Sequence, residues 1–360
     1  MSRRGLMVGG LAVGGLSLVS TGTAAADPAL RSASPDSGAL AEAGPAIVPC
    51  PGWGARPNNR IVPIWNQRPV KVLVHHTASP NQANTDRGAA DALARSIQNY
   101  HMDRRRWLDS GQHFTISRGG FVLEGRHRSL EVLRGGRKQV EGAHCTGQNV
   151  VAVGIENEGI YVDVGPPPAL WNSLRNTCAY ICAQYGIAPT ELYGHRDFKN
   201  TACPGDRLYG MLPRLRGEVA GILGRRLEAE ATVKASWPLV RPGDSGATVL
   251  AVQHLLRDAG HDVPVDGAYS PAMTATVRRF QTETKAEDAN GIIGGESWPV
   301  LARTVRRGEG SEAEKAVNVL AEERQVESVP DVVEHPEWQE LLGTSGEPAD
   351  TSADPVGPPR

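Results

Sequence analysis

Two short apolar runs, each ending in polar side chains, constrain the fold of this chain more than any other feature. Residues 70–76 read VKVLVHH and residues 150–159 read VVAVGIENEG, and both are rich in β-branched side chains. Their apolar residues are continuous, which is typical of a strand that is buried on both faces of a sheet. We therefore expect two central strands, the first ending at His75 and the second running into the carboxylates of Glu156 and Glu158.

Helical and hairpin patterns surround these strands. Residues 85–103 predict a helix with Thr85 as its N-cap, and residues 168–186 predict a second helix that starts at a proline and ends before a glycine. Residues 111–126 predict a hairpin that turns at two consecutive glycines. Strands that alternate with helices indicate an α/β domain, with a central mixed β-sheet flanked by helices, over residues 52–224.

A smaller helical unit follows a charged linker at residues 225–236. Over residues 237–303 the sequence predicts a small three-helix module, in which Ser270 caps the second helix. The start of this unit, RPGDSGATVLAVQHLL, is echoed about one module length later by RRGEGSEAEKAVNVLA. The echo predicts a partial or degenerate second module at residues 304–342, with chance similarity of two amphipathic helices as the alternative. Residues 343–360 read as a disordered tail.

The beginning of the chain reads as an export signal. Arg3 and Arg4 precede a short apolar run, and small residues then lead to a cleavage site before Asp27, so that residues 1–26 form the signal. The arginine pair resembles a twin-arginine signal, and an ordinary secretory signal is the alternative. Residues 27–51 are rich in Ala, Ser, Pro and Gly and predict a flexible leader. We therefore expect a secreted or cell-wall protein.

Charge and hydropathy exclude two classes of partner. The 360 residues carry a formal net charge of −2, which offers no general surface for neutralising phosphates, so we expect no nucleic-acid partner. The apolar run of the signal is too short for a membrane span and no other run approaches that length, so we expect no membrane partner. The length is that of about two domains, and we expect a monomer.

The five cysteines are an odd number for an exported chain, in which disulfides persist. Cys203 is left over if it binds a metal, and the other four could then form two disulfides. Cys178 and Cys182 lie one turn apart on the predicted buried face of one helix, and a bond between them would gain little chain entropy. We therefore predict that Cys50 and Cys145 each bond to one member of this pair. Free buried thiols and a local bond are the alternatives.

The segment GHRDFKNTACPG at residues 194–205 combines a histidine, His195, with Cys203 in a proline-glycine loop. Together with His75 these residues offer two nitrogens and one thiolate, which is the ligand count of a catalytic zinc site with one open position. The alternative is a thiol hydrolase with Cys203 as the nucleophile, but activated cysteines are favoured at helix N-termini. Spacing alone does not show that the fold brings the three residues together.

Four ordered motifs resemble those of zinc-dependent N-acetylmuramoyl-L-alanine amidases, a family that includes phage T7-type lysozyme and the peptidoglycan recognition proteins. The motifs are VLVHHTAS, GQHFTISRGGFVLEGR, GIENEG and GHRDFKNTACPG, and the resemblance covers residues 53–215. It implies cleavage of the amide between the lactyl group of N-acetylmuramic acid and L-alanine, with Glu156 and Thr201 at catalytic positions. It also implies a Zn²⁺ held by His75, His195 and Cys203.

The chemistry of the two implied catalytic residues agrees with that assignment. A base is needed to accept the proton of the attacking water and pass it to the leaving amine, and burial at the end of a strand would raise the pKa of Glu156 toward that task. Glu158 alternates onto the same strand face and is the rival base. Thr201 offers a hydroxyl that would steady a developing oxyanion, and capping of its own loop is the alternative.

Two further residues are candidates for substrate binding. Gln112 stands where many relatives carry the tyrosine of a GYHF motif, while other branches of the family have small residues there. The glutamine does not argue against the implied reaction, but it leaves open which groups transfer the protons. His76 points to the opposite strand face from His75 if the strand is regular, so packing is the alternative to a substrate contact.

The C-terminal unit resembles the three-helix peptidoglycan-binding module of many wall hydrolases. The matching pieces are GDSGATVLAVQHLL, VDGAYSPAMTATVRRFQ and GIIGGESW. Such an anchor raises the effective concentration of an insoluble substrate, which makes peptidoglycan the expected partner. A recognition protein that binds peptidoglycan without cutting it is the alternative function. Non-catalytic relatives typically lose the cysteine ligand, which this chain keeps as Cys203.

Overall fold

The computed structural model describes residues 44–234 and 236–343. The strands are β1 Ile47–Val48, β2 Ile64–Trp65, β3 Lys71–His76, β4 Phe114–Ile116, β5 Val122–Glu124, β6 Gln139–Val140, β7 Ala152–Asn157, β8 Leu192–Gly194, β9 Val305–Arg306 and β10 Val332–Val333. The helices are α1 Arg87–Asn99, α2 Ser129–Gly135, α3 Pro168–Tyr185, α4 Asp206–Gly210, α5 Leu212–Ile222, α6 Ala229–Thr232, α7 Ala247–Asp258, α8 Pro271–Glu283, α9 Trp298–Leu301, α10 Glu312–Glu323 and α11 His335–Leu341.

A six-stranded mixed sheet forms the centre of the first domain, in the order β1-β5-β4-β7-β3-β8. Strands β4, β7, β3 and β8 run parallel to one another, and β5 pairs antiparallel to β4. The predicted α/β class, the two central strands and the hairpin are confirmed. Because the carboxyl ends of β3, β7 and β8 meet at one edge, the polar residues that end these strands lie side by side.

The two faces of the sheet carry different chemistry. Val72, Val74 and Ile155 face a core that includes α3 and α5. Leu73 and Ala152 are buried on the other face beside Cys145, and burial on both faces explains why these strands read as continuous apolar runs. On the opposite face, His75 is the register partner of Glu156. On this second face, apolar residues therefore give way to polar ones only at the carboxyl ends of the strands, where His75 and Glu156 lie side by side.

Helix α1 starts one residue later than the sequence predicts. The Asp86 side chain, not that of Thr85, caps the helix by accepting from the Ala89 backbone N–H at 2.7 Å. A carboxylate at this position also interacts favourably with the helix dipole. The helix then continues into one turn of π-helix at Tyr100–Arg104.

The end of the predicted flexible leader is part of the fold. Ile47–Val48 forms an edge strand parallel to β5, and a 3₁₀ turn follows at Cys50–Trp53. The Trp53 indole N–H donates to the Glu124 backbone carbonyl at 2.8 Å. The prediction missed this because two β-branched residues among prolines and glycines are too short a run to indicate a strand. Residues 1–43, with the predicted export signal, and the tail beyond Gly343 lie outside the described residues.

The predicted disulfides are wrong, because all five cysteines are buried free thiols. Cys178 and Cys182 face the core between α3 and the sheet. Cys50 packs with α1 in a separate cluster, and Cys145 packs on the other side of the sheet beside Leu73. The prediction that both helix cysteines lie on a buried face is correct, but spacing did not reveal that Cys50 and Cys145 pack in two other clusters, away from that helix.

The connection between the two domains is packed on the first domain along most of its length. Helix α6 lies against α5, and the Arg216 guanidinium donates to the Thr232 carbonyl at 2.8 Å. Lys234 forms an ion pair with Glu191 at 2.6 Å. The segment that composition alone marks as a linker is therefore held against the first domain by α5 and Glu191.

The C-terminal domain has one hydrophobic core that runs from Trp237 to Leu342. Its two halves repeat the same arrangement: the Trp298 indole N–H donates to the Pro238 carbonyl at 2.6 Å, and the Trp338 indole to the Arg303 carbonyl at 2.9 Å. Helices α7 and α10 are each twelve residues long and pack together. The second half has no counterpart of α8, so it completes the core of the first half and does not form a separate module.

Within the two described stretches of chain, none of the helices combines the length and the apolarity that crossing a bilayer requires.

Candidate metal centre

Three ligand-type side chains converge where β3 and β8 end. His75 lies near the end of β3 and is 1% exposed, while His195 follows β8 directly. The candidate ligand atoms of His75, His195 and Cys203 all lie within 4.8 Å of one another, and Cys203 Sγ is 3.7 Å from His75 Nδ1. The structure thus brings together the three residues for which the sequence suggested a metal.

The loop that carries two of these residues, residues 195–203, is named the metal loop below. It begins with a 3₁₀ turn and closes through a hydrogen bond from the Arg196 N–H to the Cys203 carbonyl at 3.0 Å. Gly205 follows with a φ of 94°, and a Cβ at this position would lie 2.3 Å from the Tyr161 carbonyl oxygen. The glycine of the Cys-Pro-Gly segment is therefore required by a close backbone approach.

The Cys203 thiol is buried and has few partners. The His76 backbone N–H donates to its sulfur at 3.4 Å. Burial, and then the nearby Glu156 carboxyl, raise the pKa of the Cys203 thiol well above its ordinary value. Because a nucleophilic cysteine needs a lowered pKa, the raised pKa of this thiol gives no support to the thiol-hydrolase alternative.

A third histidine, His144, contacts the ligand set of His75, His195 and Cys203 and was missed by sequence reasoning. Its Nδ1 lies 3.1 Å from His75 Nε2, so it hydrogen bonds to the ring nitrogen that faces away from Cys203. Contacts of this kind fix the tautomer and orientation of a ligating histidine. The only sequence signal was a histidine in the polar loop before β7, and such a loop has no periodicity from which to infer a partner.

Glu156 lies beside the ligand set with a buried and unsatisfied carboxyl oxygen. Its register partners are His75 on β3 and Thr115 on β4. Its Oε2 atom has no hydrogen-bond partner in the described part of the chain. Burial raises the pKa of Glu156 to about 8. A carboxyl group held without a partner at this location is available for a water molecule or a substrate.

Glu158, the rival carboxylate, is already engaged. Strand β7 ends at Asn157, and Glu158 Oε2 accepts from the Arg118 backbone N–H at 2.8 Å, which ties it to the β4–β5 hairpin. The Glu158 backbone N–H in turn donates to the Ile116 carbonyl. This geometry favours Glu156 as the free carboxylate of the pair.

Gln112 is buried in the wall next to Glu156. Its amide Nε2 donates to Thr115 Oγ1 at 2.8 Å, and Thr115 is the strand neighbour of Glu156. Its Oε1 atom has no partner among the residues described. Gln112 therefore offers a buried amide oxygen without a partner near Thr115, the strand neighbour of Glu156.

Thr201 lies at the end of the metal loop and is partly exposed. Its hydroxyl oxygen accepts from the Cys203 backbone N–H at 3.2 Å. This is the loop-capping contact that was the alternative to a catalytic role. The hydroxyl proton remains free to donate a second hydrogen bond, so the two roles are compatible.

His76 points away from the ligand set. It pairs in register with Asn157, and its Nδ1 accepts from the Tyr161 backbone N–H at 3.4 Å on the core side of the sheet. Burial, and then Arg196, lower the pKa of His76 to about 4, so its ring is neutral. The geometry supports the packing role and gives no support to a substrate contact.

The donor set fits zinc. Two imidazole nitrogens and one thiolate sulfur are ligands that Zn²⁺ binds in tetrahedral sites, and three protein ligands leave one position open. Near them, the buried Gln112 Oε1 and Glu156 Oε2 atoms have no hydrogen-bond partner within the described residues. Unsatisfied polar atoms that cluster at one site indicate a site built for polar occupants.

Comparison with known proteins finds relatives of both domains. A family model described as N-acetylmuramoyl-L-alanine amidase matches residues 65–206, and a peptidoglycan-binding domain model matches residues 245–301. Human N-acetylmuramoyl-L-alanine amidase is 36% identical over 171 residues, which is 47% of this chain and 28% of the human protein. The porcine amidase is 32% identical over 208 residues, 55% of this chain and 32% of that protein. The chain therefore spans about a third of the length of these amidases.

Shorter relatives are covered more completely. Peptidoglycan-recognition protein SC2 of Drosophila melanogaster is 31% identical over 182 residues, which cover 48% of this chain and 86% of the relative. Among solved structures, wild-type Drosophila PGRP-LB aligns with 27% identity and a TM-score of 0.41, over 46% of this chain and 92% of that chain.

Proposed function

The chain belongs to the family of N-acetylmuramoyl-L-alanine amidases and peptidoglycan recognition proteins, and on that premise we propose that it is an exported zinc hydrolase. Its reaction is cleavage of the amide between N-acetylmuramic acid and L-alanine in peptidoglycan. The observation that carries the proposal is the convergence of His75, His195 and Cys203 beside the unpaired carboxyl of Glu156.

The residues divide into ligands and proton carriers. His75, His195 and Cys203 would hold the zinc ion, with His144 keeping the His75 ring in place. When bound, zinc supplies Lewis acidity, which polarises the scissile carbonyl and acidifies a water molecule. Thr201, whose hydroxyl proton is free, would donate to the oxygen on which negative charge develops.

Glu156 would carry the proton of the reaction. As a carboxylate it accepts a proton from the attacking water, and as a carboxylic acid it gives that proton to the departing amine nitrogen of L-alanine. The pKa of Glu156, raised by burial to about 8, suits the second step because its conjugate acid holds a proton near neutral pH. Gln112 Oε1 is an acceptor for an N–H or O–H group of the substrate beside it.

The partner that we propose is bacterial peptidoglycan, contacted by both domains. The match of the C-terminal domain to a peptidoglycan-binding domain supports a second attachment to the wall. Export rests on the signal-like residues 1–26, which carry the arginine pair. We propose that the protein works outside the cytoplasm as a monomer.

A second function, recognition of peptidoglycan without cleavage, is favoured by the names of several relatives. The retained Cys203 thiol favours hydrolysis over recognition alone, since a protein that only binds peptidoglycan has no need of a third metal ligand.

Metal analysis and a wall digest test the proposal together. We expect about one zinc per purified protein, as a three-ligand catalytic site implies. We also expect mass spectrometry of digested wall to show stem peptides that begin with a free L-alanine amine, together with glycan that retains its lactyl groups. Wall binding with zinc present but without released peptides would favour the recognition function, and cleavage that persists after complete zinc removal would contradict the zinc mechanism.

A further inference from the structure

The middle of the metal loop is buried by the C-terminal domain. Lys199 is 7% exposed, and its Nζ forms ion pairs with Glu287 at 2.7 Å and with Glu296 at 3.2 Å. Asn200 is fully buried, and its Oδ1 accepts from two backbone N–H groups of the same segment, those of Gly294 at 3.2 Å and Ser297 at 3.0 Å. These contacts lie in the sequence between the ligands His195 and Cys203.

Two consecutive glycines allow this approach. The Gly295 N–H donates to the Arg196 carbonyl at 3.0 Å. A Cβ on Gly295 would lie 2.1 Å from the Asp197 carbonyl oxygen, and a Cβ on Gly294 would lie 2.6 Å from the Lys199 carbonyl oxygen. Both clashes are with backbone atoms of the metal loop, so any larger residue would push the two segments apart.

The same domain also contacts the other loop of the site. The Thr146 hydroxyl donates to Glu287 at 2.7 Å, and Thr146 lies two residues after His144. On the far side of the metal loop, Arg241 forms an ion pair with Asp206 at 2.7 Å. The C-terminal domain therefore touches both segments that surround the ligand set. Its contacts lie at Asn200 and Asp206, on either side of Cys203, and at Thr146, near His144.

We propose that the C-terminal domain positions the metal ligands, through a module clamp formed by Glu287, Gly294, Gly295 and Glu296. The metal loop has no regular structure beyond one 3₁₀ turn, so its conformation depends on contacts with its surroundings. Contacts that hold metal ligands in place before the ion arrives strengthen metal binding. The clamp supplies that restraint to two of the three ligands.

The inference rests on the metal site of the proposed function and extends it, because it makes the domain that resembles a wall anchor part of the hydrolytic centre. Lys199 and the clamp residues are positioning residues, since they act through the backbone of the metal loop. Release of the clamp is expected to loosen the metal site even when the substrate is a small soluble fragment that needs no anchor.

The test uses the full chain loaded with zinc and measures the rate at which a chelator removes the metal. Gly295→Ala forces the segments apart, and Lys199→Gln removes the ion pairs while leaving the glycines intact. We expect both variants to lose zinc about tenfold faster than the wild type, the scale found for residues that orient metal ligands. Gly221→Ala is the matched control, because a Cβ at Gly221 on α5 meets no other described atom within 4 Å.

Two further measurements separate positioning from general damage. Cobalt-substituted Gly295→Ala should show a weakened thiolate-to-cobalt absorption band, and hydrogen exchange should rise in residues 195–203 while helix α8 stays protected. Lys199→Arg, which keeps the ion pairs, should restore zinc release to within about threefold of the wild-type rate, because the guanidinium retains the charge.

The outcomes distinguish this inference from the proposed function. Faster zinc release in both variants supports the clamp even if the wild type cleaves no peptidoglycan, in which case only the hydrolase proposal fails. If neither Gly295→Ala nor Lys199→Gln accelerates zinc release beyond twofold over Gly221→Ala, the C-terminal domain does not position the ligands and the inference is overturned.

Discussion

The two halves of the metal centre are built by different means. His75 and Glu156 face each other from adjacent parallel strands, and the hydrogen-bond register of the sheet fixes their separation. His195 and Cys203 lie on the metal loop, which is held by single hydrogen bonds and by a second domain. The strand half is therefore robust and local to the sheet, whereas the loop half depends on contacts between residues far apart in the sequence.

The largest expected effect is on the loop half. Cys203→Ala removes the only sulfur donor of the set and should reduce bound zinc from about one per protein to a small fraction, with loss of hydrolysis, because two histidines alone bind zinc weakly. Metal analysis and a muropeptide assay measure both. Cys145→Ala is the control, since that thiol is buried in a neighbouring cluster and should cost only roughly 1 kcal/mol of stability while keeping the metal. Full zinc loading of Cys203→Ala would show that the thiol is not a ligand.

The next effect concerns the strand half. Glu156→Gln should keep zinc, because Glu156 is not proposed as a ligand, and should lower turnover by about two to four orders of magnitude, the usual scale for a general base. The control is Glu158→Gln, for which we expect less than a tenfold change since that carboxylate only ties the hairpin to β7. Steady-state kinetics on a soluble muropeptide decide between them. A larger loss in Glu158→Gln would reverse the assignment.

An intermediate effect on zinc affinity is expected for His144, which contacts the ligand His75. His144→Gln removes the ring nitrogen that contacts His75 Nε2 and should weaken zinc affinity by about 10- to 100-fold. Competition with a chelator of known affinity measures the change. His254→Gln, which alters a histidine of the C-terminal domain paired with Glu312, should leave affinity unchanged. Equal affinities for His144→Gln and the wild type would mean that the register of β3 alone orients His75.

The same contrast explains what the sequence could and could not reveal. Strands β3 and β7 were predictable because a buried strand has a continuous apolar run, and that placed His75 and Glu156 at one sheet edge. The ligands of the loop half were inferred from donor chemistry and family resemblance, since loop residues have no period. His144 was missed for the same reason.

Contacts between distant segments were the least predictable. Gly294 and Gly295 read only as part of a module motif, and their fit against the metal loop follows from how two domains pack. The disulfide prediction was wrong because helical periodicity indicates which face of a helix is buried but not which residues pack against that face. The predicted cap of α1 was wrong by one residue, because Asp and Thr are both favourable N-cap residues. Only the backbone conformation shows that Asp86 is the cap.

The smallest expected effect is a change of stability that leaves the metal centre intact. Asp109 is fully buried and His127 Nδ1 contacts its carboxylate at 2.8 Å. The hydrogen bond to Asp109 raises the pKa of His127 above 6.5, so the stability that the pair contributes is fully present below pH 6.5 and is lost as the pH rises through the raised pKa. Burial alone would raise the pKa of Asp109, but the hydrogen bonds from His127 lower it overall. The stability that the pair contributes is therefore also lost in acid, as the pH falls below the ordinary carboxyl pKa.

His127→Gln should therefore cost roughly 1 kcal/mol of unfolding free energy near pH 5.5 and less near pH 8.5, because the wild-type pair has lost its charge attraction there. Chemical denaturation at the two pH values measures the difference. Zinc release from this variant should match the wild type, because the pair lies on neither strand β3 nor the metal loop. A pH-independent cost would show that His127 acts as a neutral hydrogen-bond donor, and accelerated zinc release would show that general destabilisation alone loosens the metal loop.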